Sequence, residues 1–177
     1  METSEAIKRI LPAFEQYYTV KKESEGPFCA QAEFRSHNEQ YFLVRSAHIA
    51  DIDSNEFVFF ADSPNLTREV FEDLVNQAWQ KGIDKVKPYN GHRNSDITLI
   101  IISNTIDAAS FEGKAKKIIQ KTKHYKSYKF SLHGWSNFKL AVVELNNQDI
   151  YFNRFGKDYR KLLEKNIFKN SLGGKEK

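Results

Sequence analysis

The sequence predicts a single α+β domain with a mostly antiparallel sheet and helices packed on it. Three observations predict it: two groups of three period-two segments, isolated segments of helical periodicity around them, and one continuous apolar run at residues 97–102. Their order, αβββαβαβββα, is neither a repeated βα unit nor all β. The 177 residues, 40% of them apolar, predict one domain over residues 1–168 and a flexible tail over 169–177.

The first helix is predicted at the start of the chain. Thr3 or Ser4 is its expected cap, and Pro12 predicts a kink or a restart. Its apolar residues recur at helical spacing: Ile7, Ile10, Leu11, Phe14 and Tyr17. Three strands then alternate with polar turns as a meander. These strands are predicted over residues 28–35, 40–49 and 56–61.

The second helix is predicted over residues 66–82, with Gly82 as its left-handed C-terminal residue. The run ITLIII at 97–102 is apolar on both faces, which predicts a central strand. Asn146 and Asn147 suit the turn between the last two strands. The remaining elements are a helix over 107–120, strands over 125–132, 138–145 and 149–152, and a helix over 157–167.

Composition predicts a cytoplasmic protein without a membrane span. No apolar run reaches the roughly 18 residues that a transmembrane helix needs. The amino terminus lacks the basic start, apolar middle and small-residue cleavage site of a secretory signal. Cys29 is the single cysteine, which agrees with a reducing compartment and predicts an unreactive thiol.

A break in charge near Gly113 divides the chain. Residues 1–112 hold 11 Lys and Arg against 18 Asp and Glu, whereas residues 113–177 hold 16 against 5. Eight lysines and no acidic residue lie between Gly113 and Val143. Such a basic segment, interleaved with aromatic residues, is typical of proteins that bind single-stranded nucleic acid or another polyanion, because phosphates need cations and unstacked bases need a flat ring.

The candidate binding residues of this segment are lysines and two stacking aromatics: Lys117, Lys121, Lys126, Lys129, Lys139, Tyr125 and Trp135. Strand alternation places Lys126, Tyr128 and Phe130 on one side of their predicted strand. An alternative interpretation is a solvated lysine face, neutralised by the acidic half of the chain. Another is a protein contact or a homo-oligomer, in which an acidic patch meets a basic one.

The longest predicted loop, residues 84–96, supplies three further candidates for binding: Lys87, His92 and Arg93. A solvated connector that only joins helix to strand is the alternative interpretation.

No catalytic residue, metal site or cofactor is predicted. The histidines are His37, His48, His92, His124 and His133, and none has metal-ligand spacing with another. Glycine-rich phosphate loops and nucleophile motifs are missing from the sequence. We therefore expect a noncatalytic module.

One remote alternative is a metal-dependent nuclease. The order helix, three strands, helix, strand resembles the core of restriction-endonuclease-like nucleases, in which clustered carboxylates and a lysine hold a divalent metal. The local carboxylates are Glu33, Asp51, Asp53 and Glu56, but the expected Glu-x-Lys on a strand is missing. Topology alone does not establish such a function.

Three segments carry a resemblance to a known family: VKPYNGH at 86–92, HYKSYKFSLHGW at 124–135, and FKLAVVEL at 138–145. From about residue 5 to about residue 165 the chain resembles a family of small uncharacterised bacterial proteins, a domain of unknown function. The resemblance implies a bacterial cytoplasmic single-domain protein, and it assigns no activity, cofactor or catalytic residue to any position of this sequence. It directs attention to His92 and to the segment 124–135.

Overall fold

Strands and helices form one open sheet covered on both faces, over the residues that the structure describes. The computed structural model describes residues 1–22, 26–35, 53–88 and 92–169, with the backbone alone at Asp53. The strands are β1 (Thr19–Lys21), β2 (Ala30–Arg35), β3 (Asp53–Leu66), β4 (His92–Ile106), β5 (Tyr125–Ser127), β6 (Trp135–Glu144) and β7 (Asp149–Phe152). The helices are α1 (Thr3–Glu15), α2 (Arg68–Lys85), α3 (Ala115–Lys121) and α4 (Arg160–Leu163). A 3-10 turn, Gly156–Tyr159, precedes α4, and a π-helical turn, Glu164–Phe168, follows it.

The predicted fold class is confirmed as α+β, with the predicted order αβββαβαβββα. In space the strands are ordered β1-β2-β3-β4-β6-β5, and β7 also pairs with β6. The β3–β4 and β4–β6 pairs are parallel, and the other pairings among the described strands are antiparallel. Parallel neighbours need a crossover, which α2 supplies between β3 and β4. The sheet is therefore mixed, with antiparallel pairs toward its edges.

Strand β4 occupies the centre of the sheet, as its sequence predicts. It pairs with β3 on one side and β6 on the other, and residues 97–102 are all buried. A strand covered on both faces can be apolar at every position, which explains the continuous run ITLIII.

Alternate residues of the central strands supply two apolar cores. Val58, Ile100 and Ala141 pack toward α1 and residues 156–168, a side that we call the α1 face. Phe59 and Leu99 pack with α2 and α3 on the opposite side, the α2 face. Burial of each large apolar side chain contributes about 2 kcal/mol, so both cores stabilise the packing of the helices on the sheet.

The first group of strands differs from the predicted meander. β2 and β3 lie where two of its strands are predicted, and they pair antiparallel. The predicted middle strand, residues 40–49, lies outside the described residues. The third observed strand is β1, whose three residues are too few to reveal a period in the sequence.

Three predicted boundaries after residue 83 are wrong. The strand predicted over 125–132 ends at Ser127, because the backbone then turns through left-handed conformations. The helix predicted over 107–120 begins only at Ala115, after turns that end at Gly113 with a φ of 67°. The loop predicted over 84–96 is shorter, since α2 continues to Lys85 and β4 begins at His92.

Helix α1 also differs from its prediction in detail. Its N-cap is Glu2, and Thr3 is buried inside the helix, where its hydroxyl donates to the Asp62 carboxylate at 3.0 Å. The helix continues through Pro12 to Glu15 and does not restart.

Asn153 completes the edge of β6 between β5 and β7. Its amide Nδ2 donates to the carbonyl oxygens of Thr122 and Phe138 at 3.0 and 2.8 Å. Its Oδ1 accepts from the backbone N–H groups of Leu140 and Gly156 at 3.0 and 2.8 Å. All four hydrogen bonds of the amide are thus formed. Because Thr122 directly follows α3, this side chain holds the end of α3 and the start of β5 against the sheet.

Gly82 lies inside α2 rather than at its end, so its predicted role as a C-terminal residue is wrong. A Cβ placed on Gly82 would lie 2.6 to 2.9 Å from three side-chain carbons of Ile97 on β4. Real Cβ atoms do not approach other atoms so closely. The absence of a side chain therefore allows α2 to pack directly on the central strand.

We expect Gly82→Ala to lower the free energy of unfolding by about 1–2 kcal/mol, because overpacking outweighs the roughly 1 kcal/mol gained in helix propensity. Urea unfolding followed by circular dichroism measures it. In an Ile97→Ala background the same change should stabilise the protein, since the clash is removed. Asn76→Ala, on the exposed side of α2, is the matched control, with an expected change below about 0.5 kcal/mol. Greater stability of the single Gly82→Ala variant would contradict this packing argument.

Candidate functional site

A basic surface lies along α3, β5 and the turn that follows. We define it by the exposed lysines of these elements: Lys116, Lys117, Lys121, Lys123, Lys126 and Lys129. Ile119 anchors α3 in the core on the α2 face, so the lysines of this helix extend into solvent. Four of the predicted binding lysines, at positions 117, 121, 126 and 129, are therefore exposed on these neighbouring elements.

The lysines of the basic surface have no carboxylate partner within 4 Å among the described residues. Lys114, just before α3, differs because its ammonium group lies 3.2 Å from Glu112. Several acidic residues of the first half pair within that half, as Glu72 does with Arg68. The described acidic side chains thus leave the charge of the basic surface unneutralised.

Lys139 does not belong to this surface, and its predicted place there is wrong. Its side chain is only 17% exposed, and its ammonium group lies 2.8 Å from Asp96 and 3.4 Å from Glu56. β6 is an inner strand, and its α1 face is covered, so a lysine on that face must find anionic partners inside the protein.

The two predicted stacking aromatics differ in exposure. Tyr125 is 61% exposed on β5, which is the last strand of the sheet. Trp135 is half-buried at the start of β6, opposite Ser127 of β5. Both lie on the α1 face, whereas Lys126 lies on the α2 face with its ammonium group 5.6 Å from the ring centre of Tyr128. The structure thus places Tyr125 and the lysines on two sides of one exposed sheet edge.

The turn at residues 128–134 presents an aromatic side chain that alternation did not single out. Lys129, Phe130 and Ser131 all have positive φ, at 46°, 54° and 68°. Each such residue costs about 1–2 kcal/mol relative to a right-handed conformation. Phe130 is 99% exposed and Leu132 75% exposed. Strand alternation predicts Phe130 on one side of a strand with Lys126 and Tyr128, and this prediction is wrong because the strand ends at Ser127.

His92 fastens this turn to the sheet. The prediction that it lies in a loop is wrong. His92 is buried at the start of β4, and its Nδ1 donates to the carbonyl oxygen of His133 at 2.9 Å. Its Nε2 accepts from the Ser95 hydroxyl at 2.9 Å, since the carbonyl requires the proton on Nδ1. The other two loop candidates, Lys87 and Arg93, are exposed.

A buried polar cluster that the sequence did not assemble lies on the α1 face. At its centre, the Glu56 carboxylate accepts from the hydroxyls of Thr98, Tyr18 and Tyr159 at 2.6, 2.6 and 2.5 Å. The ammonium group of Lys139 is the fourth donor, and it bridges Glu56 to Asp96. These residues come from β3, β4, β6, the 3-10 turn and the chain just after α1.

For the two charged groups at the centre of the cluster, Glu56 and Lys139, neighbouring groups outweigh burial in determining the pKa. Burial alone would raise the pKa of Glu56, but the charge of Lys139 and the hydroxyl donors outweigh it and lower that pKa below 4.5. Burial would lower the pKa of Lys139, yet Glu56 and Asp96 raise it well above its ordinary value. Burial and the Glu56 charge raise the pKa of Tyr159 and of Tyr18. Each group of this cluster is therefore locked in the protonation state that its partners require.

The carboxylates considered for a nuclease do not converge. Glu33 lies on the α2 face with Arg35 and Lys85, whereas Glu56 lies on the α1 face. Asp51 and the side chain of Asp53 lie outside the described residues. In the described ranges, no group of three or more His, Cys, Asp or Glu side chains is placed to hold a metal ion.

Burial raises the pKa of the Cys29 thiol to about 11, which disfavours the thiolate at neutral pH.

Comparison with known proteins decides the family. Residues 2–165 match the family described as a domain of unknown function, DUF8052. The chain belongs to this family. The predicted resemblance to a domain of unknown function is thereby confirmed, and the match covers residues 2–165 of this chain. No curated protein and no solved structure matches the chain. Among the described helices, none has the length and apolar character that crossing a membrane requires.

We expect Glu56→Gln to lower the free energy of unfolding by about 3 kcal/mol, because Lys139 and three hydroxyls lose a buried anionic acceptor. Glu72→Gln removes an exposed partner of Arg68 and is the matched control, with an expected loss below about 1 kcal/mol. Thermal and urea unfolding measure both variants. Equal stabilities of the two variants would show that the cluster does not hold the fold together.

The same variant tests a pH dependence. Because folding lowers the pKa of Glu56 from 4.5, the stabilisation by its charge is complete above pH 4.5 and is lost as the pH falls through the folded pKa. The difference in Tm between wild type and Glu56→Gln should therefore stay constant from about pH 7 to about pH 5 and narrow below pH 4.5. A difference that persists unchanged to about pH 3 would contradict the depressed pKa.

Proposed function

We propose that this protein is a noncatalytic module that binds single-stranded nucleic acid through its basic surface. The observation that carries the proposal is the run of exposed lysines on α3, β5 and the following turn, none of which has a carboxylate partner among the described residues. Several unneutralised cations on neighbouring elements attract a polyanion, because each phosphate that they contact releases condensed counterions.

The shape of this region supports a single strand rather than a duplex. Among the described strands β5 lies at the edge of the sheet, and Tyr125 on it is exposed, with Lys126 on the opposite face of the same strand. A flexible strand can follow an exposed edge and place an unpaired base on a tyrosine ring, whereas the bases of a duplex are already stacked.

The basic surface contains lysines and no arginine, which favours contacts to phosphate over readout of base edges. Lysine acts as a compact point charge, and the bidentate recognition of guanine edges is more typical of arginine. We therefore expect affinity to depend on strand length and salt more than on sequence.

The experiment measures binding of a labelled oligonucleotide of about 20 nucleotides by fluorescence anisotropy at several salt concentrations. Replacing Lys117, Lys121 and Lys126 with serine should weaken binding and reduce the slope of log K against log salt by about 2, since each lost phosphate contact contributes roughly 0.7 for a single strand. The matched control replaces Lys8, Lys161 and Lys165, exposed lysines of the α1 face, and removes the same charge. It should leave the slope unchanged.

Two outcomes would overturn the proposal. The first is no association at about 50 mM salt, and the second is an equal effect of both triple variants, which would indicate a response to net charge alone. If the oligonucleotide does not bind and light scattering reports association of the protein at low salt only, the charge asymmetry instead serves a protein contact or a homo-oligomer.

A further inference from the structure

Phe130 is the most exposed large apolar side chain among the described residues, at 99%. It lies at the tip of the turn at residues 128–134, at one end of the basic surface. Apolar side chains on a protein surface are common, but a fully exposed phenylalanine in a left-handed backbone conformation is not. Strained conformations persist only where the surrounding structure enforces them, and they are concentrated at functional positions.

The turn is held rigidly by hydrogen bonds at its base. The Tyr128 N–H donates to the Gly134 carbonyl at 2.9 Å, and the His133 N–H donates to the Tyr128 carbonyl at 3.1 Å. The buried His92 ring then fastens the His133 carbonyl to β4. A Cβ on Gly134 would overlap the carbonyl of Arg93, so this close contact requires glycine. The tip is thus preorganised, with Phe130 directed away from the protein.

The surroundings of the ring define the chemistry of its partner. Lys129 precedes it in the turn, and Lys126 and the exposed Tyr125 lie on the adjoining strand. A partner that fits must offer a flat apolar or π surface together with negative charge. Unpaired bases on a phosphate backbone have both properties.

We propose that Phe130 is a base-stacking side chain that inserts between unpaired bases of a bound single strand. This inference rests on the proposed function and adds to it the source of the preference for single strands. An anionic membrane also attracts lysines and aromatic rings, but two apolar side chains at one turn, Phe130 and Leu132, provide too little apolar area for stable anchoring. A single ring is sufficient to stack on a base.

The experiment compares two probes of equal length and charge, a thymidine oligonucleotide and the same backbone without bases. Wild type should bind the thymidine strand more tightly than the abasic strand. Phe130→Leu keeps an apolar side chain but removes the ring, so it should weaken binding of the thymidine strand about tenfold and leave the abasic strand unaffected. Phe130→Trp should retain the wild-type preference.

Controls and a direct readout keep the test specific. Because Phe130 contacts little of the protein, its variants should melt at the wild-type temperature. Leu132→Ala, on the same turn, should change affinity less than about twofold, since an aliphatic side chain offers no π surface. In an oligonucleotide containing 2-aminopurine, wild-type protein should quench the fluorescence on binding, and Phe130→Leu should not.

The outcomes separate the two proposals. If Phe130→Leu binds both probes as wild type does, the stacking inference is wrong while binding through lysines stands. If wild type binds neither probe, the proposed function fails and the stacking role fails with it. The third outcome is that wild type binds phosphatidylserine vesicles but neither oligonucleotide, and that Phe130→Ala no longer binds the vesicles. The turn would then be a membrane contact, and the inference would be overturned.

Discussion

The fold depends on one buried anion, the carboxylate of Glu56. An isolated carboxylate in a protein interior costs several kcal/mol, and here three hydroxyls and the Lys139 ammonium group compensate it. The donors come from opposite ends of the chain, since Tyr18 follows α1 and Tyr159 precedes α4. The cluster therefore joins both terminal helical segments to the three inner parallel strands.

The position of β6 in the sheet determines which surface remains exposed. β4 and β6 are inner strands, so the charged residues on their α1 face, Asp96 and Lys139, must neutralise one another. Beyond β6, the described strands at the edge are the short β5 and β7, and Asn153 closes the space between them. The lysines of α3 and β5 consequently lie outside both cores. This difference between inner and edge positions separates Lys139 from its neighbours along the sequence.

Local pattern predicted most of the secondary structure but not the turn that presents Phe130. Periodicity is sufficient for α2 and β4 because packing reinforces the intrinsic preference of each segment. In the segment 125–132, the alternation of residues continues past Ser127. The chain nevertheless reverses direction, because contacts of His92 and Gly134 fix the segment that returns to the sheet. His92 and His133 are separated by 41 residues, so no local pattern could reveal their contact. The prediction for Gly82 was wrong for a similar reason, since the contact that requires glycine is with Ile97 on another element.

The amino-acid pattern alone is sufficient for the fold class, the central strand, most of the other elements, the family, and the charge asymmetry that directs attention to the second half of the chain. These properties follow from composition, motifs and short-range periodicity. Three-dimensional contacts, in contrast, determine which lysines remain in solvent, that Lys139 is paired internally with Glu56 and Asp96, and that Phe130 extends from a hydrogen-bonded turn. These outcomes depend on contacts between residues far apart in the chain, and burial and pairing are properties of the folded neighbourhood rather than of any residue type.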